Sequence, residues 1–105
     1  MAELLDLGRG TTPELIIESS GLDLSTLDVL WITLKQGNYE LTKELPDLNI
    51  SGDTITFRLT QEETLGFSST QRIYIQLRYL IGDNAYKTNV VSCEASMILK
   101  EGVIK

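Results

Sequence analysis

The chain has 105 residues, 42% hydrophobic and 23% charged, with a formal net charge of −6. That length and balance describe one globular domain, residues 1–105, able to bury a core without disulfide staples, and they argue against intrinsic disorder. The excess of 15 acidic over 9 basic residues disfavours nonspecific attraction to nucleic acid or to an anionic membrane.

The N-terminal MAELLDLGRG lacks the basic head and long apolar run of a signal peptide. No apolar run approaches the ~20 residues that span a bilayer, so a soluble protein made in the cytoplasm is expected. PELIIES reads as a short strand opened by Pro13, with Leu15 and Ile17 inward. SGLDLSTLD, rich in Ser, Gly and Asp, reads as a loop. In LDVLWITLKQ the burying register takes Leu30, Ile32 and Leu34 inward and turns Trp31, Thr33 and Lys35 outward. QGN is a compact turn, so NYELTK is expected to fold back on that strand as a charged, protected edge.

DLNISGD sets Asp47, Asn49, Ser51 and Gly52 at positions 1, 3, 5 and 6 of a calcium-binding loop. Position 12 is Arg58, a cation where the metal needs a carboxylate, and strands rather than helices flank the stretch. A hairpin turn at Gly52 accounts for the same letters. TITFRLT then alternates, with Ile55, Phe57 and Leu59 inward. In TQEETLGF, Thr60 and Glu63 have capping-box spacing and predict one helical turn, after which Leu65 and Phe67 plug an end of the core.

RIYIQLRYLI turns Ile73, Ile75, Leu77, Tyr79 and Ile81 inward and Arg72, Tyr74, Gln76, Arg78 and Leu80 outward. After the turn signal GDNA, TNVVSCEASMILK is expected to bury Val91, Cys93, Ala95, Met97 and Leu99. About seven short strands with one helical turn predict an all-β fold, an antiparallel β-sandwich with an immunoglobulin-like Greek key, a small barrel being the alternative.

Chemistry is sparse. With no histidine, every His-dependent triad or metal set is absent, and no catalytic, cofactor-binding or metal-ligating residue is assigned. Glu62 and Glu63 are adjacent, so they point apart rather than converge in a cleft. GRG has no helix after it to cradle phosphate. Cys93 lies in the alternating pattern and reads as a small core residue. Arg58, Arg72 and Arg78 face outward with Tyr74 among them, the outline of a basic strand face, but too thin against −6 to suggest nucleic acid. The candidate interaction surface is Trp31, Tyr74 and Arg78, since exposed aromatics and arginine anchor protein interfaces. LLDLG at one terminus and GVIK at the other are further candidates, as strands that pair with a neighbouring subunit.

Three stretches, DVLWITLKQGNYELTK, GDTITFRLTQEETLGF and IYIQLRYLIGDNAYKTNVVSCEASMILKEGVIK, together resemble small tail-region proteins of phages and prophages of Gram-positive bacteria. They are also similar to the immunoglobulin-like N-terminal domain of phage baseplate upper proteins. The likeness runs from about Arg9 to the end, and LTQEETL and LKEGVI are its distinctive parts. The long receptor-facing extension of baseplate proteins is not in this sequence. The resemblance implies a non-enzymatic structural or assembly protein without cofactors, located in the virion or in the host cytoplasm during assembly. Its implied partners are other phage structural proteins or a second copy of itself. A carbohydrate- or host-surface-binding module is the alternative.

Overall fold

The turns fall where the alternation breaks. β3 (Val29–Gln36) and β4 (Tyr39–Glu44) are joined by Gly37 and Asn38, with Gly37 at φ +57°. A two-residue hairpin needs positive φ there, which glycine adopts without a Cβ clash. β5 (Asn49–Ser51) and β6 (Thr54–Arg58) turn on Gly52 at φ +61°, so the DLNISGD stretch is a hairpin. The computed structural model describes residues 7–18, 24–88, 90–96 and 99–104.

The remaining elements are β1 (Leu7–Gly8), β2 (Glu14–Glu18), α1 (Gln61–Leu65), β7 (Arg72–Ile81), β8 (Asn84–Lys87) and β9 (Val91–Ser96). The larger sheet runs β1-β9-β7-β3-β4, with β8 also on β7; the smaller runs β2-β6-β5. Two separate sheets make a sandwich, not a closed barrel. Their strand order matches the immunoglobulin-like Greek key, β9-β7-β3 extended by β4 in one sheet and β2-β6-β5 in the other.

Pairing is antiparallel except at β1, which lies parallel to β9 with Leu7 opposite Ala95. β8 and β9 both pair with β7, but the register steps by one residue between Lys87 and Val91, as at a β-bulge. The Thr88 hydroxyl accepts the Leu77 N–H there, and the Thr88 carbonyl accepts from Gln76. Nine strands are described where about seven were expected; β1, β5 and β8 are too short for periodicity to reveal.

The core forms as the alternation requires. Leu15, Ile17, Ile55, Phe57 and Leu59 of one sheet meet Leu30, Ile32, Leu34, Ile73, Ile75, Leu77 and Cys93 of the other, all buried. Tyr79 and Ile81 pack against that cluster from its margin. Leu24 and Leu27 are buried as well, so the segment read as a loop carries a short 3-10 turn, Leu24–Thr26, that contributes to the core.

Several expectations need correction. Leu99 is 96% exposed rather than buried, because it lies in a bend and not in a strand that would carry the alternation inward. Met97 and the side chains of Val91 and Ala95 lie outside the described residues. Phe67 is the plug; Leu65 is only half-buried. Leu7, proposed for a neighbouring subunit, is buried in β1 against its own chain, and residues 1–6 lie outside the described residues. The C-terminal segment is also engaged within the chain. Gln61 donates to the Ile104 carbonyl (3.1 Å) and accepts its N–H (2.6 Å), while Arg9 holds Glu101 at 2.7 Å.

α1 closes one end of the sandwich. Thr60 accepts the Glu63 N–H (3.1 Å) and Glu63 accepts the Thr60 N–H (2.9 Å), the capping box expected from sequence. The Thr64 hydroxyl, fully buried, reaches the Thr11 carbonyl at 2.9 Å and ties α1 to the loop before β2. Arg9 donates to the carbonyls of Leu65 (2.9 Å) and Phe67 (2.5 Å), a cation on the orphan acceptors that follow the helix. Lys43, on the inner face of β4, reaches Glu63 at 2.7 Å.

Burial would raise the Glu63 pKa, but hydrogen bonds from Lys43 and Thr60 together with the Lys43 charge outweigh it and hold the carboxyl below its usual value. A depressed folded-state pKa adds stability that is present above the unfolded pKa and lost as pH falls through the folded one. Replacing Glu63→Gln should therefore cost on the order of 1 kcal/mol near neutrality. In urea titrations the gap between the two proteins should close as pH drops below the ordinary carboxylate range. A gap constant from neutral pH to pH ~3 would contradict this assignment of charge.

Candidate functional site

The outward face of the larger sheet can be read row by row, because directly paired residues point to the same side. The first row is Glu44, Trp31, Arg78 and Lys87, one residue each from β4, β3, β7 and β8. Next to it lie Thr42, Thr33 and Gln76. A third row holds Glu40, Lys35, Tyr74 and Ser92. On the other side of the first row, Val29, Leu80 and Ala85 form an apolar end.

Trp31 and Arg78 meet across β3 and β7, with the Arg78 guanidinium carbon 5.7 Å from the Trp31 ring centroid. That is cation–π distance, and it holds two large side chains in one orientation on an open surface. Trp31 is 42% exposed and Tyr74 51%. Tyr74 shares the face but stands four residues along β7 from Arg78, about 13 Å at strand rise. The three candidates therefore divide into a contacting pair and one separate aromatic.

Trp31 and Arg78 also stand between two depressions. Toward the apolar end is a groove of about 140 Å³ that includes Val29, Leu80 and Ala85 in its walls. On the other side is a polar trough of about 440 Å³ lined by Thr33, Lys35, Glu40, Thr42, Glu44 and Gln76. Leu80, expected to stand exposed, is half-buried in the first of these.

No family model, curated protein or solved structure matches this chain. What the face can do rests on its own chemistry. Glu40, Glu44, Lys35, Arg78 and Lys87 make no ion pair with any described residue. Acidic side chains line the β4 edge, while Arg72, Arg78 and Lys87 lie on β7 and β8. Arg72 donates to Ser92 at 3.0 Å. Arg58, grouped with Arg72 and Arg78 in the sequence reading, is on the other sheet. It donates to the Thr12 carbonyl (2.6 Å) and pairs with Glu14, so the three arginines do not form one basic face.

Among the described residues, no group of three or more His, Cys, Asp or Glu side chains is gathered where a metal could sit. Asp47 of the calcium-like stretch accepts the Glu44 N–H at 3.0 Å in a local cap. Sequence reasoning missed Glu44 and Lys87. Glu44 was accessible from the two-residue turn, which sets the β3–β4 register and places it beside Trp31. Lys87 was hidden, because β8 is only four residues long and precedes a register step.

Proposed function

We propose that this chain is a non-enzymatic structural or assembly protein of a phage or prophage particle, in its tail or baseplate region, working through protein–protein contacts. The observation that carries the docking reading is the Trp31–Arg78 pair, exposed and held together at the centre of a face of uncompensated charges. Tryptophan, tyrosine and arginine are the residues that dominate interface energetics. The assignment to a particle rests on the resemblance of the three sequence stretches, and it puts the protein in the virion or in the host cytoplasm during assembly. Among the described residues, no helix is long and apolar enough to cross a membrane.

Mass spectrometry calibrated for copies per particle tests the assignment. A stoichiometric copy number in purified particles is expected; absence from finished particles would move the protein to assembly or to the host. Trp31→Ala tests the surface. It should cost no more than about 1 kcal/mol of folding stability, because the ring is already partly in water. Recovery with particles should fall about tenfold or more. A stability loss of ~3–5 kcal/mol would instead mark Trp31 as a core residue.

A second reading, a carbohydrate- or host-surface-binding module, is favoured by the polar trough beside Trp31, whose Thr33, Thr42 and Gln76 offer hydrogen bonds next to an aromatic surface. Saturable quenching of Trp31 fluorescence by a sugar would support it.

A further inference from the structure

We infer that the outer face of β4, β3, β7 and β8 binds a second copy of this chain, face to face, about a two-fold axis parallel to the strands and lying between β3 and β7. The inference rests on the reading of this face as a protein-contact surface and names the partner.

Symmetry and charge decide the partner. A two-fold interface is self-complementary, so each residue must tolerate the residue that the axis sets against it. An axis between β3 and β7 exchanges β3 with β7 of the second copy and β4 with its β8 and β9. In the first row, Trp31 then faces Arg78 of the second copy, and Glu44 faces Lys87 of the second copy. In the third row, Lys35 lies over Tyr74 of the second copy, and Glu40 opposes the Arg72–Ser92 pair of the second copy. Thr33 meets Gln76, and Val29 meets Leu80. Each of these pairs joins acid to base, cation to aromatic, polar to polar or apolar to apolar.

The same pattern rejects the other in-plane axis. A two-fold perpendicular to the strands leaves β4 over β4 and brings Glu40 of one copy against Glu44 of the other, like charges that repel. The position of Glu40 and Glu44, both on β4, therefore selects the orientation. Facing sheets pack at about 10 Å with strands within about 30° of parallel, which leaves room for interleaved long side chains. Trp31 and Arg78, at cation–π distance in the single chain, would repeat that contact reciprocally across the axis.

Sedimentation equilibrium of the full chain over a range of concentrations and salt is the test. A dimer that weakens with salt is expected. Glu44→Lys and Lys87→Glu should each raise its Kd about tenfold, and combining them should restore it to within about threefold, because the swapped charges again face each other. Trp31→Ala should raise it about thirtyfold or more. Circular dichroism checks that each variant is folded. A chain that stays monomeric overturns the inference. So does a dimer indifferent to both charge reversals, which would use another surface. A monomer whose Trp31→Ala variant still loses recovery with particles would remove the second copy as partner while keeping the docking reading. A dimer unaffected by Trp31→Ala would overturn the inference, and unchanged recovery of that variant with particles would overturn the docking reading as well.

Discussion

Phe67→Ala should destabilise the fold by about 3–5 kcal/mol, the loss of a fully buried aromatic whose space cannot be refilled. Phe67 is 1% exposed just beyond α1, and its ring meets Tyr39 edge to face at 4.9 Å and 82°. Collapse into the vacated volume is blocked because Tyr39 is fastened. Its hydroxyl donates to the Glu63 carbonyl at 2.8 Å, and its ring lies so close to Gly66 that a Cβ there would sit 2.2 Å from the ring carbon bearing the hydroxyl. Phe67 is also tied through its carbonyl to Arg9. A cavity should therefore persist. Phe67→Leu, which keeps most of the volume, should cost about 1–2 kcal/mol. Urea denaturation of the three proteins measures both. A loss below about 1.5 kcal/mol for Phe67→Ala would mean that the end of the sandwich relaxes more readily than these contacts allow.

Gln36→Leu should cost about 2–4 kcal/mol, although it places a hydrophobic side chain at a site only 5% exposed. The Gln36 amide donates to the carbonyls of Ser68 (2.8 Å) and Gln71 (2.9 Å), and its carbonyl accepts the Ser68 N–H (2.6 Å). It thus replaces a strand partner for the segment that carries the chain from α1 into β7. Leucine removes all three bonds and leaves three backbone groups to find water, each at a cost of about 1 kcal/mol or more. Thermal melting gives the stability, and hydrogen exchange at Ser68 should quicken in the variant. An unchanged exchange rate at Ser68 would show that the amide is held by something other than Gln36.

Gln36 also marks where sequence reading stops. It follows Leu34 in the inward register of β3, so its burial was legible, but a polar residue at a strand end reads equally well as solvent-facing. Only the return of Ser68 and Gln71 to that end of β3, more than thirty positions later, satisfies it. Arg9 is a similar case. In sequence it lies in a Gly-Arg-Gly turn; in the fold it joins α1 to Glu101, and the hydrogen bond from Arg9 holds that carboxyl below its usual pKa.

The sequence by itself determined the inward faces of β2, β3, β6 and β7, the β3–β4 hairpin, and the capped turn at Thr60. These depend on side-chain period, turn chemistry and capping, all set within a few residues. It also placed Trp31, Tyr74 and Arg78 on the outside of their strands. Tertiary structure alone decided that Trp31 touches Arg78, that Arg58 belongs to the other sheet, and that Leu7 pairs with β9. Which strands become neighbours depends on how two sheets jointly bury their apolar faces, and a period-two pattern says which side of a strand is wet without naming the strand beside it.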